Sequence, residues 1–308
     1  MENIIFVAEF TTNHMGNLNL LLKMTEKAGE LGCDYIKMQK KDVNTFYTPE
    51  KLSRPFKSPY GQTYGEYRNI FEFDKEDTKR FDTACNKADI KWFATVQDIP
   101  SLQFMQEFNP HMYKIASTNI SNNALIHEMV ASIPNDEKVI ISTGGATLSE
   151  IEKTLTLLSS FKDIFILHCV AEYPCPDDHV RLGNIPELIR HFASENVKIG
   201  YSGHEVGYIP SLVAISLGAK MIERHFCLSR YSFVHHIECS LEPNEYAEMM
   251  QIVKDANDAS DLAKYTQMLP LQAMESCFGM STGEEDFLLK QQYGSKFIKD
   301  KSIWYEND

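Results

Sequence analysis

Gly200-Tyr201-Ser202-Gly203-His204 ends one β-rich run, and Ile222-Glu223-Arg224-His225 ends the next. Each reads as a short parallel strand with a histidine at its C-terminal end. Working outward, the same unit recurs along the chain: a β-rich run, then a helical stretch, at intervals of about 20–35 residues. Strands are expected over residues 4–10, 34–39, 91–95, 112–116, 138–142, 164–169, 197–201 and 220–225. Helices fit over 18–31, 74–88, 100–108, 123–131, 149–160, 185–192 and 209–217, with a last one over 243–263. Gly32 supplies a stop, Asp74 an N-cap and Pro100 a first-turn proline. Val139-Ile140-Ile141 and Ile164-Phe165-Ile166-Leu167 are unbroken apolar runs, the pattern of strands covered on both faces of a parallel sheet. The expected fold is α/β: a (β/α)8 TIM barrel over residues 1–263, with a short C-terminal extension over 264–308 carrying one helix near 284–292. No GxGxxG follows the first strand, which weighs against a dinucleotide-binding sheet.

The 308 residues are 43% apolar, enough for a sizeable core, and carry a net charge of −13. That charge disfavours a nucleic-acid scaffold or an anionic membrane surface as partner. There is no apolar run long enough to span a bilayer, and the N-terminus enters a strand at once. Seven cysteines without CxxC spacing suggest reduced thiols and a cytoplasmic setting.

Barrels of this kind build their sites at the C-terminal strand ends. Those ends read Glu9; Lys37 and Gln39; Thr95; Lys114 and Ser117; Ser142 and Thr143; His168 and Tyr173; Ser202 and His204; Glu223 and His225. A barrel with a purely structural role needs no polar group at every end. Lys37, Lys114, Thr95, Ser117, Ser142 and Ser202 are cations and short hydroxyls, the lining of a phosphate pocket. Ser142-Thr143-Gly144-Gly145 adds backbone N–H groups that can approach an anion. His204 and His225, with Glu9 or Glu223, could hold a divalent metal with positions left open. A lone histidine is more often a hydrogen-bonded core residue; two at adjacent strand ends facing lysines and serines favour the ligand reading. Imidazole with oxygen suits manganese, zinc, iron or cobalt better than calcium.

Eight segments in unbroken order carry a resemblance. They are Ala8-Glu9-Phe10-Thr11-Thr12-Asn13-His14-Met15-Gly16-Asn17, Ile36-Lys37-Met38-Gln39, Lys114-Ile115-Ala116-Ser117 and Ile141-Ser142-Thr143-Gly144-Gly145. The others are His168-Cys169-Val170-Ala171-Glu172-Tyr173-Pro174, Gly200-Tyr201-Ser202-Gly203-His204, Ile222-Glu223-Arg224-His225-Phe226 and Ser240-Leu241-Glu242-Pro243. Over residues 4 to about 260 the chain resembles the sialic acid (N-acetylneuraminate/nonulosonate) synthase family. The resemblance implies condensation of phosphoenolpyruvate with an open-chain N-acylmannosamine-type sugar, giving a nine-carbon keto acid and phosphate. It implies manganese or magnesium on His204 and His225, and Glu9 as the residue managing protons. Lys37, Thr95, Lys114, Ser117, Ser142 and Ser202 map to phosphoenolpyruvate, and Gln39 and Tyr173 to the amino-sugar acceptor. Asn13 and His14 either fix the first loop or touch ligand.

Four departures from the family pattern bear on the acceptor and the metal. Gly203 stands where the family has Asp, Ala171 where it has Asn or Ser, and His236 where an Asp contacts acceptor hydroxyls. Residues 264–308 are too few for the antifreeze-like domain that many members carry, so an acceptor contact is either missing or supplied by a homodimer partner or a separate domain. His235 and His236, taken as neighbours on a strand, should point to opposite faces. The alternatives are another phosphoenolpyruvate-dependent keto sugar acid synthase, a metal-dependent hydrolase, which lacks an HxH pair here, and a degenerate sugar-binding homologue. The Tyr/Phe-rich loop over 42–73 reads equally as a substrate lid or as an ordinary long loop.

Overall fold

The structure, a computed structural model, describes residues 4–292. Its strands are β1 (Ile5–Glu9), β2 (Tyr35–Lys40), β3 (Pro55–Ser58), β4 (Gly61–Thr63), β5 (Lys91–Val96), β6 (Met112–Ile115), β7 (Lys138–Ser142), β8 (Asp163–His168), β9 (Val197–Gly203) and β10 (Met221–His225). Eight of them are parallel and close into a barrel in the order β1-β10-β9-β8-β7-β6-β5-β2, while β3 and β4 form a separate antiparallel hairpin. This is the (β/α)8 barrel that the alternation of runs predicts.

Parity along each strand decides what points inward. Val7, Tyr35, Phe93, Met112, Ile140, Phe165, Leu167 and Met221 fill the barrel interior. Two residues further along, the same faces carry Glu9, Lys37, Thr95, Lys114, Ser142 and Glu223. The register sets them side by side: Glu9 opposite Lys37 and His225, Thr95 opposite Lys114, and Ser202 opposite Glu223. The outward faces pack with the helices into one continuous core that includes Phe10, Trp92, Ile141, Ile166, Tyr201 and Tyr246.

The helix punctuation acts as the sequence suggests. Asn17 accepts from Leu20 N at the start of the helix Leu18–Leu31, and Gly32 ends it in the left-handed conformation at φ 80°. Asp74 accepts from Asp77 N, and Asp98 from Ser101 N ahead of Pro100. The helix expected over 243–263 stops at Asp255 instead, and a 3-10 segment, Ala259–Met268, follows. Asp258 and Asp261 cause the break by accepting from nearby backbone: Asn257 N donates to Asp261 and Ser260 N to Asp258. The expected loop over 42–73 contains three short helices, Val43–Phe46, Pro49–Ser53 and Tyr64–Asn69, besides the β3–β4 hairpin. Aromatic rings hold it together, with Phe56 on Tyr67 at 4.6 Å and Tyr67 on Phe71 at 5.0 Å. No described helix is long and apolar enough to cross a membrane, and all seven cysteines are unpaired.

Candidate active site

A cavity of about 310 Å³ opens at the C-terminal end of the barrel, within the range of small-molecule sites. Its floor is a buried charge cluster. Lys114 Nζ donates to both Glu223 oxygens at 2.6 and 2.8 Å. Lys37 Nζ lies 3.1 Å from Glu223 and 2.9 Å from Glu9. Ser202 Oγ donates to Glu223 at 3.0 Å, and Gln39 Nε2 to Glu9 at 2.8 Å. Burial works to raise the Glu223 pKa, but Lys114 and Lys37 outweigh it and hold the carboxyl at about 2. For Glu9 burial wins over Lys37, and its pKa is raised. Burial also lowers that of Lys114 against the pull of Glu223. Beside this cluster, Thr95 Oγ1 and Ser142 Oγ are buried without a hydrogen-bond partner. Hydroxyls left so are costly unless a ligand or water meets them.

The two histidines stand at the edge of this floor, their ring centres 5.4 Å apart and nearly perpendicular. His204 Nδ1 lies 2.7 Å from Val170 O. A carbonyl only accepts, so Nδ1 carries the proton and Nε2 keeps its lone pair. Burial holds His204 down to about 3 and His225 well below the ordinary histidine value, so both are neutral at pH 7. His225 Nδ1 is buried without a partner. Two neutral imidazoles, one with its tautomer fixed from behind, are donors that suit a divalent transition metal. Glu9 and Glu223 turn their carboxylates to lysines, and among the described residues no three His, Cys, Asp or Glu side chains converge on a point. The fit to a metal therefore rests on the histidine pair.

Lys37, Gln39, Thr95, Lys114, Ser117, Ser142, Tyr173, Ser202, His204, Glu223, His225 and His236 all line the one cavity. Glu9 is fully buried behind Lys37 and Gln39 and touches the cavity only through them. His168 lies outside the site, bonded to Val180 O at 2.9 Å, because Leu167 takes the inward face of β8. Thr143 likewise turns away and donates to Leu167 O. Asn13 Nδ2 donates to Phe226 O and Ser240 Oγ, and His14 packs on Phe73 at 4.7 Å, so both fix the first loop. His235 and His236 sit in a loop rather than on a strand, with His236 at φ 65°, and both line the cavity. The opposite-faces expectation fails because strand alternation does not apply there.

The sequence reading missed Lys41, Arg68, Phe287 and Leu288, which also line the cavity. Lys41 had a signal: it continues the inward parity of Lys37 and Gln39. Phe287 and Leu288 come from the helix Thr282–Gln292, which returns to the barrel mouth. Phe287 lies on Tyr173 at 4.4 Å, and Glu284, 1% exposed, accepts from Ala171 N at 2.9 Å.

Two of the departures have local causes. A Cβ at Gly203 would meet Glu205 Oε2 at 2.4 Å, and Glu205 is clamped by Arg224 and the Tyr201 hydroxyl. The Gly203→Ala variant is expected to lose about 1–3 kcal/mol through overpacking, and Gly203→Asp more, because it sets a second carboxylate against a buried one. Urea unfolding checks this; an unchanged midpoint for both would mean Glu205 moves aside. At Ala171 the methyl packs on Leu288, so a larger polar residue would compete with the returning helix.

A parallel barrel whose mouth joins two lysines, four short hydroxyls and two neutral imidazoles is of the class that holds a small anion beside a second polar ligand. The chain belongs to the NeuB family, whose model matches residues 24–265. It is 33% identical over 250 residues to the N-acetylneuraminate-9-phosphate synthase of Drosophila melanogaster, across 80% of this chain and 66% of that protein. The chain thus spans about two thirds of the length of that relative. It is 32% identical over 274 residues to the N,N'-diacetyllegionaminic acid synthase of Campylobacter jejuni, across 84% and 79%. Among solved structures, the N-acetylneuraminic acid synthetase of Leptospira borgpetersenii superposes with TM-score 0.70 at 26% identity, covering 94% of this chain and 92% of that one. A spore coat polysaccharide biosynthesis protein of Bacillus subtilis shares the fold at TM-score 0.73 and 24% identity, covering 92% and 77%.

Proposed function

We propose that the chain condenses phosphoenolpyruvate with an open-chain amino sugar, giving a nonulosonic acid and phosphate. The observation that carries this is the pairing of a lysine floor with buried, unpartnered Thr95 and Ser142 hydroxyls in one cavity. Lys37 and Lys114 are the cations for the phosphate and carboxylate of phosphoenolpyruvate, and Thr95, Ser117, Ser142 and Ser202 are its hydroxyl partners. Glu223 holds both ammonium groups in place, and Glu9 orients Lys37 and Gln39. Gln39, Tyr173 and His236 face the acceptor. His204 and His225 would hold a divalent metal, manganese or magnesium, which supplies Lewis-acid polarisation of the acceptor carbonyl when bound. In the reaction carbon 3 of phosphoenolpyruvate bonds to the aldehyde carbon, whose oxygen takes a proton. Water adds at carbon 2, and the carbon–oxygen bond to phosphate breaks. The unpaired cysteines suit a cytoplasmic setting.

Phosphate release from phosphoenolpyruvate with manganese is expected only when a 2-acylamino hexose is added. His204→Ala is expected to abolish it and, in an electron paramagnetic titration of manganese alone, to weaken ion binding at least tenfold. Unchanged manganese binding in His204→Ala and His225→Ala would remove the metal from this pair. Absence of release with every sugar would remove the condensation.

A further inference from the structure

The inward side chain just past the end of β8 is a thiol. Leu167 fills the barrel interior, so Cys169, two residues on, faces the cavity and lines it. It takes the place that Glu9, Lys37, Thr95, Lys114, Ser142 and Glu223 hold on their own strands. Cys169 is 4% exposed, and its Sγ lies 3.2 Å from Ser117 Oγ, at the start of the 3-10 turn Ser117–Asn119. Ser117 Oγ also accepts from Gly144 N at 2.9 Å. Only a glycine allows so close an approach, since a Cβ at Gly144 would meet Ser117 Oγ at 2.9 Å and Cys169 Sγ at 3.2 Å. Burial raises the Cys169 pKa against the influence of Ser117, Lys114 and the Gly144 N–H, so the thiol keeps its hydrogen at pH 7. In the same cavity the hydroxyls of Thr95 and Ser142 are buried without partners, which marks where a ligand sits.

A serine hydroxyl brings one hydrogen and two lone pairs, and a neutral thiol brings one hydrogen. Gly144 N–H takes the first lone pair of Ser117 Oγ. Where the thiol donates to the second, the serine hydrogen is left to point into the cavity. Where the serine donates to sulfur instead, it offers the cavity nothing. An anion in the cavity accepts the serine hydrogen and so selects the first arrangement. We infer that Cys169 is a positioning residue: its S–H occupies Ser117 Oγ from behind and turns the serine O–H toward the anionic substrate. That the anion is phosphoenolpyruvate rests on the condensation reading.

The test is calorimetric titration of the intact protein with phosphoenolpyruvate, followed by phosphate release with each substrate varied in turn. Cys169→Ala is expected to weaken phosphoenolpyruvate binding about three- to tenfold, the scale of one hydrogen bond, and to raise its KM alike, while kcat and the acceptor KM stay within about twofold. Cys169→Ser keeps one hydrogen to donate and is expected to recover most of the loss. Ser117→Ala should cost at least as much, and adding Cys169→Ala to it should cost nothing more, since the thiol acts only through the serine. Circular dichroism and manganese binding report on folding. Parental affinity in Cys169→Ala would overturn the inference and leave the condensation standing. Losses that add in the double variant, a Cys169→Ser variant no better than Cys169→Ala, or a fall in kcat together with a rise in both KM values would each reduce Cys169 to a packing residue. Cys169-dependent binding without phosphate release for any sugar would leave the positioning role standing and sink the condensation. A parent protein that does not bind phosphoenolpyruvate would sink both.

Discussion

Arg224→Leu is expected to lower the free energy of unfolding by about 3–5 kcal/mol, the cost of leaving a buried charge without its partner. Arg224 is fully buried on the outward face of β10. It donates to Glu205 Oε1 and Gly207 O, both at 2.6 Å, to Ser211 Oγ at 3.0 Å, to Glu205 O at 2.7 Å and to Cys239 O at 3.3 Å. Without it the Glu205 carboxylate keeps only the Tyr201 and Ser211 hydroxyls. Urea unfolding should show a lower midpoint at an unchanged slope. The Glu205→Leu/Arg224→Leu double variant should recover much of the loss, since apolar replacement of both partners is far cheaper than breaking the pair. A single variant within about 1 kcal/mol of the parent would mean water reaches Glu205. The clamp matters for the site because the next residue along β10 is His225, and Glu205 follows His204.

Lys114→Ala should give the opposite profile: kcat/KM lower by on the order of 10²–10³, the scale for removing one charged stabilising donor, with a much smaller change in stability. Glu223 keeps Lys37 and Ser202 as partners, and the raised pKa of Glu9 lets it take up a proton and relieve the surplus negative charge. Acid unfolding tests the same cluster. Folded Glu223 titrates at about 2 against an ordinary 4.5. Its contribution is therefore complete above about 4.5 and is lost as pH falls toward 2. In Lys114→Ala the Glu223 pKa should climb back, moving that loss to higher pH. Phosphate release with phosphoenolpyruvate varied gives the kinetic half of the test. Near-parental turnover would take Lys114 out of the substrate's reach.

The barrel was legible because its strands are apolar runs with polar ends, and those ends are set by parity. Glu9, Lys37, Thr95, Lys114, Ser142, Glu223 and His225 each share a face with an apolar interior residue two or four positions earlier. The same rule separates His168 from the site, since Leu167 holds the inward place, so a stricter reading of β8 would have excluded it. Lys41 was legible by continuing the inward face of β2. Arg68 was not: its segment is ordered by contacts among aromatic rings rather than by any period, and only tertiary packing turns its guanidinium to the cavity. The returning helix Thr282–Gln292 was visible as a helix, but nothing in its composition marks Phe287 as a neighbour of Tyr173. The break after Asp255 was written in Asp258 and Asp261, whose side chains compete with helix for the backbone.

The register that sets Glu9 opposite His225 joins the first strand of the chain to the last strand of the barrel. Every other neighbouring pair joins strands that follow one another among the barrel's eight, and this seam alone waits for both ends. Contacts so far apart in sequence are slow to form, and here they set Glu9 beside His225. A nascent or partly opened chain can hold most of its core and still lack the proposed ligand pair beside Lys37. Ligands that bridge the seam would then favour the closed form over the opened one by mass action, so substrate supply would also act as a folding aid.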